Sequence, residues 1–213
     1  MHPSFRKDLI VLAADKDMRF TLNGLLSRPE SLDIKEIEYD VITGLAHDPD
    51  VLLNNHTYLR NFQNTHKYAL VILDKRGCGI HDLSRIELEG QIELLLSDNG
   101  WGDRCAAIVI EPELEAWVWS DSSEVDVILG WKDKQPDLRS WLVTNGFCKS
   151  RNDKPDKPKE AMTAALKIAN RPISSANFEK LSLKVSLRRC DDSAFLKFKG
   201  IMKKWFSINN SNL

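Results

Sequence analysis

The chain of 213 residues is 42% hydrophobic and carries a formal net charge of -1. Its length suits one domain, or one domain with an elaborated tail, and its composition supplies a sizeable core, which excludes a disordered chain. No stretch approaches the ~18 uncharged apolar residues of a membrane span, which predicts a soluble, cytoplasmic protein without a membrane partner.

Apolar runs and helical spacings alternate from the start of the chain. Residues 8–14 form a continuous apolar run typical of a strand buried on both faces, and residues 17–27 place apolar side chains at helical spacing. Residues 34–42 predict a second strand, nearer an edge of the sheet. Residues 44–55 contain the polar sequence HDPD and predict a loop, and residues 58–66 predict a short helix.

The same alternation continues up to residue 120. Residues 68–73 (YALVIL) predict the clearest strand, which ends in Asp74 and the turn KRGCG. Residues 83–96 predict a helix and residues 105–110 a fourth strand. Pro112 is then expected at the first position of a helix over ELEAWVWS, because proline is well tolerated there.

Strands that alternate with helices predict an α/β fold with a mostly parallel, Rossmann-like sheet flanked by helices. Residues 130–158 are the most irregular stretch, and helices are predicted at 159–169 and 192–206. The chain is therefore divided into an α/β core, residues 1–130, and residues 131–213, in which a loop and a basic helical extension pack on that core.

The small total charge hides a difference between the two parts of the chain. Residues 149–213 contain fifteen Lys or Arg against six Asp or Glu, a net charge of +9, which leaves -10 for residues 1–148. A basic segment can bind nucleic acid, or it can be held to an acidic body by ion pairs. The sequence leaves both interpretations open.

Six carboxylates directly follow predicted strands: Asp15 and Asp17 after the first, Asp74 after the third, and Glu111, Glu113 and Glu115 after the fourth. The carboxyl ends of parallel strands share one edge of a sheet, where open α/β folds bind ligands. Because gathered carboxylates repel one another, a hard cation, Mg²⁺ or Mn²⁺, is the expected cofactor. Singly, these acids could instead cap helix starts. For Asp74, at the end of a buried strand, the pattern favours a functional role.

Cationic side chains that could bind a phosphate occur in three places. Arg76 lies in the turn after the third strand, Lys157 and Lys159 lie at a predicted helix start, and Arg188 precedes another helix. Lysines beside free N–H groups at a helix start suit a phosphate, although a solvated lysine-rich linker has the same composition.

Several short motifs occur in an order similar to that of a known fold. VLAADKD and VILDKRG resemble the two acidic motifs of the Toprim-like fold, the α/β module of topoisomerases, primases and overcoming-lysogenization-defect nucleases. Glu113-Leu114-Glu115-Ala116, Lys157-Pro158-Lys159 and segment 185–195 are similar to motifs of a family of small bacterial Toprim-like proteins. That family occurs in mobile-element and phage-defence gene clusters, including the methylation-associated type.

The resemblance, together with the strand-end pattern, assigns three sets of roles: catalysis by Asp74, Glu113 and Glu115, metal binding by Asp15, Asp17, Asp74 and Glu113, and phosphate binding by Arg76, Lys157, Lys159 and Arg188. The sequence departs from the Toprim pattern in two ways. No glutamate follows the first strand, and the usual Asp-x-Asp is replaced by Asp74-Lys75-Arg76. With no tyrosine nucleophile to assign, metal-assisted hydrolysis is favoured over strand passage.

Two functions are consistent with these features. The first is a Mg²⁺-dependent nuclease or phosphoesterase of an anti-phage defence system. The second is a non-catalytic subunit that binds nucleic acid or another defence protein, in which the acids are structural. The sequence DKD also faintly resembles the Asp-x-Asp of haloacid-dehalogenase-like phosphatases, but the following Met-Arg departs from that pattern.

Overall fold

The structure is a computed structural model that describes residues 5–187 and 190–208, apart from the side chain of Val118. Its four strands form one parallel sheet in the order β2-β1-β3-β4: β1 (Lys7–Ala13), β2 (Tyr39–Thr43), β3 (His66–Asp74) and β4 (Cys105–Ile110). The predicted α/β fold with a parallel sheet flanked by helices is therefore confirmed. The predicted phosphate ligand Arg188 lies outside the described residues.

The helices in the described ranges precede, connect and follow these strands: α1 (Lys16–Leu26), α2 (Pro29–Leu32), α3 (His47–Leu59), α4 (Arg85–Leu96), α5 (Glu115–Val118), α6 (Ser123–Leu129), α7 (Leu138–Thr144), α8 (Pro158–Ile168), α9 (Ser175–Lys184) and α10 (Ser193–Phe206). A 3₁₀ helix at Arg60–Phe62 and a π-helical turn at Ser97–Trp101 complete them. Within residues 5–187 and 190–208, no helix is long and apolar enough to cross a membrane.

The two central strands form the middle of the core. Residues 9–13 of β1 and residues 69–73 of β3 are fully buried. Helices cover both faces of the sheet, so every side chain of such a strand meets apolar neighbours, which is why these strands are continuous apolar runs. β1 and β3 are parallel neighbours, so their carboxyl ends lie at the same edge of the sheet. Asp15, just after β1, and Asp74, the last residue of β3, are therefore at one edge.

The free edge of β4 is covered by two glutamates of α4. Glu89 accepts a hydrogen bond from the Val109 N–H, and Glu93 accepts one from the Ala107 N–H, both at 3.0 Å. These N–H groups point away from β3 and would otherwise be unpaired. Capping them with side-chain oxygens prevents the edge from pairing with another chain.

Replacing Glu89 by alanine is expected to lower the free energy of unfolding by about 3 kcal/mol. The buried carboxylate also pairs with Arg85 at 2.6 Å and Lys197 at 3.2 Å, and its loss would leave two cations and the Val109 N–H without it. Urea unfolding measures the loss. Glu93→Ala serves as the control and should cost less, because Glu93 is more exposed; equal losses would contradict this account.

Two of the local predictions that bear on the site were wrong, and the helix predicted at 58–66 is only the end of α3 and a 3₁₀ turn. Residues 47–59 form α3 rather than a loop, because Val51 and Leu59 pack into the core and Pro49 lies in the first turn, where its missing N–H is harmless. The helix after β4 is a single turn that begins at Glu115, so Pro112 precedes it instead of occupying its first position.

The basic C-terminal helix α10 packs against β4 and α2, and three of its four lysines pair with acids of residues 1–130. Lys197 binds Glu89 and Glu93, while Lys199 and Lys203 bind Asp33 at 3.6 and 2.7 Å. These contacts agree with the interpretation in which a basic segment is held to an acidic body. They leave the cations of α8, rather than those of α10, facing the carboxyl ends of the strands.

Candidate functional site

A cleft of about 960 Å³ opens at the carboxyl edge of β1 and β3, beside the first two turns of α8. Side chains of α1, α3 and α8 and of the segments after β3 and β4 line it: Asp15, Lys16, Asp17, His47, Asp48, Asp74, Arg76, Gly77, Glu113, Lys159, Glu160, Thr163, Ala164 and Lys167. Six of the residues singled out in the sequence as ligands, acids or cations therefore share one depression: Asp15, Asp17, Asp74, Arg76, Glu113 and Lys159.

Asp74 lies at the floor of this cleft as the last residue of β3. Its side chain is buried, with the residue 8% exposed, and its Oδ1 has no hydrogen-bond partner in the described part of the chain. Burial raises the pKa of Asp74 well above its ordinary value, and the charges of Asp48, Glu115 and Asp15 raise it further, while Lys159 opposes them. Such a carboxylate needs a proton or a bound cation.

Asp48 is the neighbour of Asp74 that was not assigned a role from the sequence. It lies in the first turn of α3, 9% exposed, and its Oδ1 accepts the Asp74 N–H at 2.7 Å. Burial and the charge of Asp15 raise the pKa of Asp48, although the hydrogen bond from Asp74 lowers it. A Cβ on Gly77 would overlap the Asp48 carboxylate, so the glycine in the turn after β3 permits this approach.

A signal for Asp48 is present in the sequence. β2 is parallel to β1 and β3, so the segment after β2 reaches the same edge of the sheet. The sequence HDPD at residues 47–50 is typical of a turn, which is why it predicts a loop and hides this carboxylate. Recognising α3 would have put a carboxylate after every one of the four strands.

Glu113 and Glu115 follow β4 but differ in their surroundings. Glu113 is buried, and its Oε1 accepts the Lys159 N–H at 3.1 Å and contacts Arg76 Nη1 at 3.3 Å, so it caps the start of α8. Glu115 is also buried, and burial with the charges of Glu113 and Asp17 raises its pKa to about 7. Unlike Glu113, Glu115 is not among the described residues that line the cleft.

The two aspartates after β1 are half-buried and partly engaged in structural bonds. Asp15, rather than Asp17, is the N-cap of α1, and its Oδ1 accepts the Met18 N–H at 2.8 Å. Asp17 Oδ1 accepts a hydrogen bond from Ser175 Oγ at 2.5 Å, which joins α1 to α9. Both bonds use Oδ1, and both aspartates line the cleft.

The cations of the site are held in different ways. Arg76 lies between Glu113 and Glu160, with Nη1 at 3.3 and 3.5 Å from their carboxylates. Lys159 Nζ has no carboxylate within 4.0 Å in the described ranges. Burial lowers the pKa of Lys159, but the charges of Glu115, Asp74 and other nearby acids outweigh it, so the pKa is raised. Lys157 is exposed at the N-cap of α8 and does not line the cleft.

The floor of the cleft offers carboxylate oxygens, the ligand type that hard cations such as Mg²⁺ prefer. Carboxylate oxygens of Asp15, Asp48 and Asp74 line it, and Asp74 Oδ1 is buried without a partner. In residues 5–187 and 190–208, no three acid, His or Cys side chains are gathered as a ready-made metal shell. Mg²⁺ commonly uses one or two carboxylates and completes its shell with water and substrate phosphate oxygens, and this site matches that pattern.

Comparison with known proteins finds no family model, no curated protein and no solved structure that matches the chain. The Toprim-like resemblance stays a prediction, and the function is proposed below from the residues of the cleft.

Proposed function

We propose that the protein is a Mg²⁺- or Mn²⁺-dependent phosphodiester hydrolase that acts as a nuclease. The observation that carries this proposal is Asp74, a buried carboxylate with an unpartnered oxygen at the floor of a cleft. An ionised carboxylate in such a place costs free energy unless a cation binds it. Asparagine has nearly the same shape and carries no charge, so an acid at this position favours a functional role.

Asp74 and Asp48 would hold the metal, with Asp15 at the side of the cleft. A bound divalent ion supplies charge that polarises a phosphoryl oxygen or lowers the pKa of a water molecule. Lys159 stands beside these acids, and its ammonium group has no carboxylate partner within 4.0 Å in the described ranges. Its role in the proposal is to neutralise charge on the phosphate of the substrate.

The biological setting in the proposal rests on the family resemblance. Small Toprim-like proteins of that family occur in anti-phage gene clusters, so we expect other defence proteins and nucleic acid as partners. The site differs from the Toprim pattern in one respect: the acid beside Asp74 is Asp48, from α3, and not a second aspartate two residues after Asp74.

The alternative, a non-catalytic subunit that binds nucleic acid or a partner protein, has one specific observation in its favour. Several predicted ligands already have structural bonds: Asp15 caps α1, Glu113 caps α8, and Asp17 bonds Ser175. If all the acids are structural, binding should survive the loss of Asp74 and should weaken steeply with salt.

Hydrolysis of labelled single-stranded and duplex DNA and RNA tests the proposal. We expect the purified protein to cleave at least one of these with Mg²⁺ or Mn²⁺ and to stop when a chelator removes the ion, because no Lys, Arg or His of the described residues lies within 4.0 Å of the Asp74 or Asp48 carboxylate. Cleavage that continues in excess chelator would refute metal dependence. Binding without cleavage under every metal condition would favour the non-catalytic subunit.

A further inference from the structure

Two acids of the cleft, Asp74 and Asp48, lie deeper than its cations. Asp74 and Asp48 are 8% and 9% exposed, whereas Lys16, Lys159 and Lys167 are exposed at its sides. A phosphate must descend between those side chains to reach the floor. In a duplex, base pairing and stacking hold each phosphate on a fixed helical path, so one phosphate does not move inward independently of its neighbours. In a single strand it can.

One side of the cleft is a row of polar groups on α8. Lys159, Thr163 and Lys167 are exposed, line the cleft and follow one another at intervals of four residues, so they share one face of the helix. At 1.5 Å per residue this row is ~12 Å long, several times the ~3.4 Å between charges along one strand of a duplex. The row is therefore long enough to contact more than one phosphate.

The lysines of this row are available to a ligand. In the described residues no carboxylate lies within 4.0 Å of Lys159 or Lys167, in contrast to Lys197 and Lys203 of α10, which are held by core acids. Thr163 adds an exposed hydroxyl between them, a group that commonly contacts phosphate oxygens. Lys16, at the start of α1, also lines the cleft.

We infer that the cleft accepts a single strand of nucleic acid, with its backbone running along α8 from Lys159 to Lys167 and one phosphate lowered toward Asp74. This inference rests on the proposed function and adds its substrate class. It assigns Lys167 as a positioning residue for the strand outside the reacting centre.

Lys167→Ala tests the inference, with Lys132→Ala as the matched control. Lys132 is exposed on the segment between α6 and α7 and does not line the cleft. Fluorescence anisotropy gives the Kd of labelled single strand and duplex over a range of salt. We expect Lys167→Ala to weaken single-strand binding about fivefold and to reduce the salt slope by about one, with Lys132→Ala at the wild-type value. Cleavage of a longer strand should also fall relative to cleavage of a dinucleotide.

The outcomes separate the inference from the proposed function. Equal single-strand affinity in Lys167→Ala and wild type overturns the inference even if the protein cleaves. Duplex binding as tight as single-strand binding overturns the strand preference. Weakened strand binding in Lys167→Ala, without cleavage by any form of the protein, supports the binding path along α8 and rejects the hydrolase.

Discussion

Asp74→Asn should abolish metal-dependent hydrolysis and at the same time make the protein more stable. In the proposed function Asp74 binds the metal ion, and such an ion lowers the free energy of the transition state by several kcal/mol. We therefore expect the rate of hydrolysis to fall roughly a thousandfold or more. It also removes a buried carboxylate whose pKa is well above the ordinary value and whose Oδ1 has no hydrogen-bond partner among the described residues. Urea unfolding at neutral pH without metal should therefore show a gain of about 1–3 kcal/mol.

Asp137→Asn is the matched control for this prediction. Asp137 caps α7, and its bonds to Arg151 and Ser140 hold the pKa of its carboxyl well below the ordinary value. It lies outside the cleft, so its loss should reduce stability and leave hydrolysis at the wild-type level. If Asp74→Asn reduced stability as this control does, Asp74 would be a structural residue and not a retained functional acid.

The second large effect is a loss of stability as the pH rises from about 4.5 to about 7. Glu115 is 6% exposed and its pKa in the folded protein is about 7, against an ordinary value of 4.5. Folded protein therefore holds a proton that the unfolded chain releases, so the stabilisation is complete below pH 4.5 and disappears as the pH rises through about 7. The shift corresponds to about 3 kcal/mol.

The groups around Glu115 determine the direction in which stability changes with pH. Glu113 and Asp17 raise its pKa and Lys159 lowers it, and Asp74 and Asp48 have pKa values raised in the same direction. Carboxyls with lowered pKa values elsewhere in the protein lose their contribution only in stronger acid.

Unfolding by urea at a series of pH values, for wild type and Glu115→Gln, measures the effect. The glutamine variant should show a flatter dependence over this range. Saturating Mg²⁺ should also flatten the wild-type curve, because a cation near Asp74 favours the ionised acids. An identical slope in both proteins would show that Glu115 does not cause the change.

The central sheet could be predicted because its signal is local. Residues 9–13 of β1 and 69–73 of β3 are apolar at every position, since strands covered on both faces need no polar side, and a turn follows each strand. That the carboxyl ends of these strands share an edge follows from their being parallel. Asp15 and Asp74 could therefore be assigned to one site from the sequence.

The rest depended on contacts that local patterns do not contain. α3 begins with HDPD, which is typical of a turn, and is a helix because Val51 and Leu59 find partners in the core. With α3 assigned to a loop, Asp48 could not be placed against Asp74. Similarly, the role of Glu113 as a cap depends on the Lys159 N–H, 46 residues away.

Calorimetric titration of Mg²⁺ and Mn²⁺ into wild type and Asp74→Asn tests the central claim most directly, since the claim is that Asp74 is held ready for a cation. We expect wild type to bind a divalent ion at neutral pH, and Asp74→Asn to bind it at least about tenfold more weakly while remaining folded. Equal binding by both proteins, or none by wild type in the presence of a phosphodiester substrate, would contradict a metal site centred on Asp74.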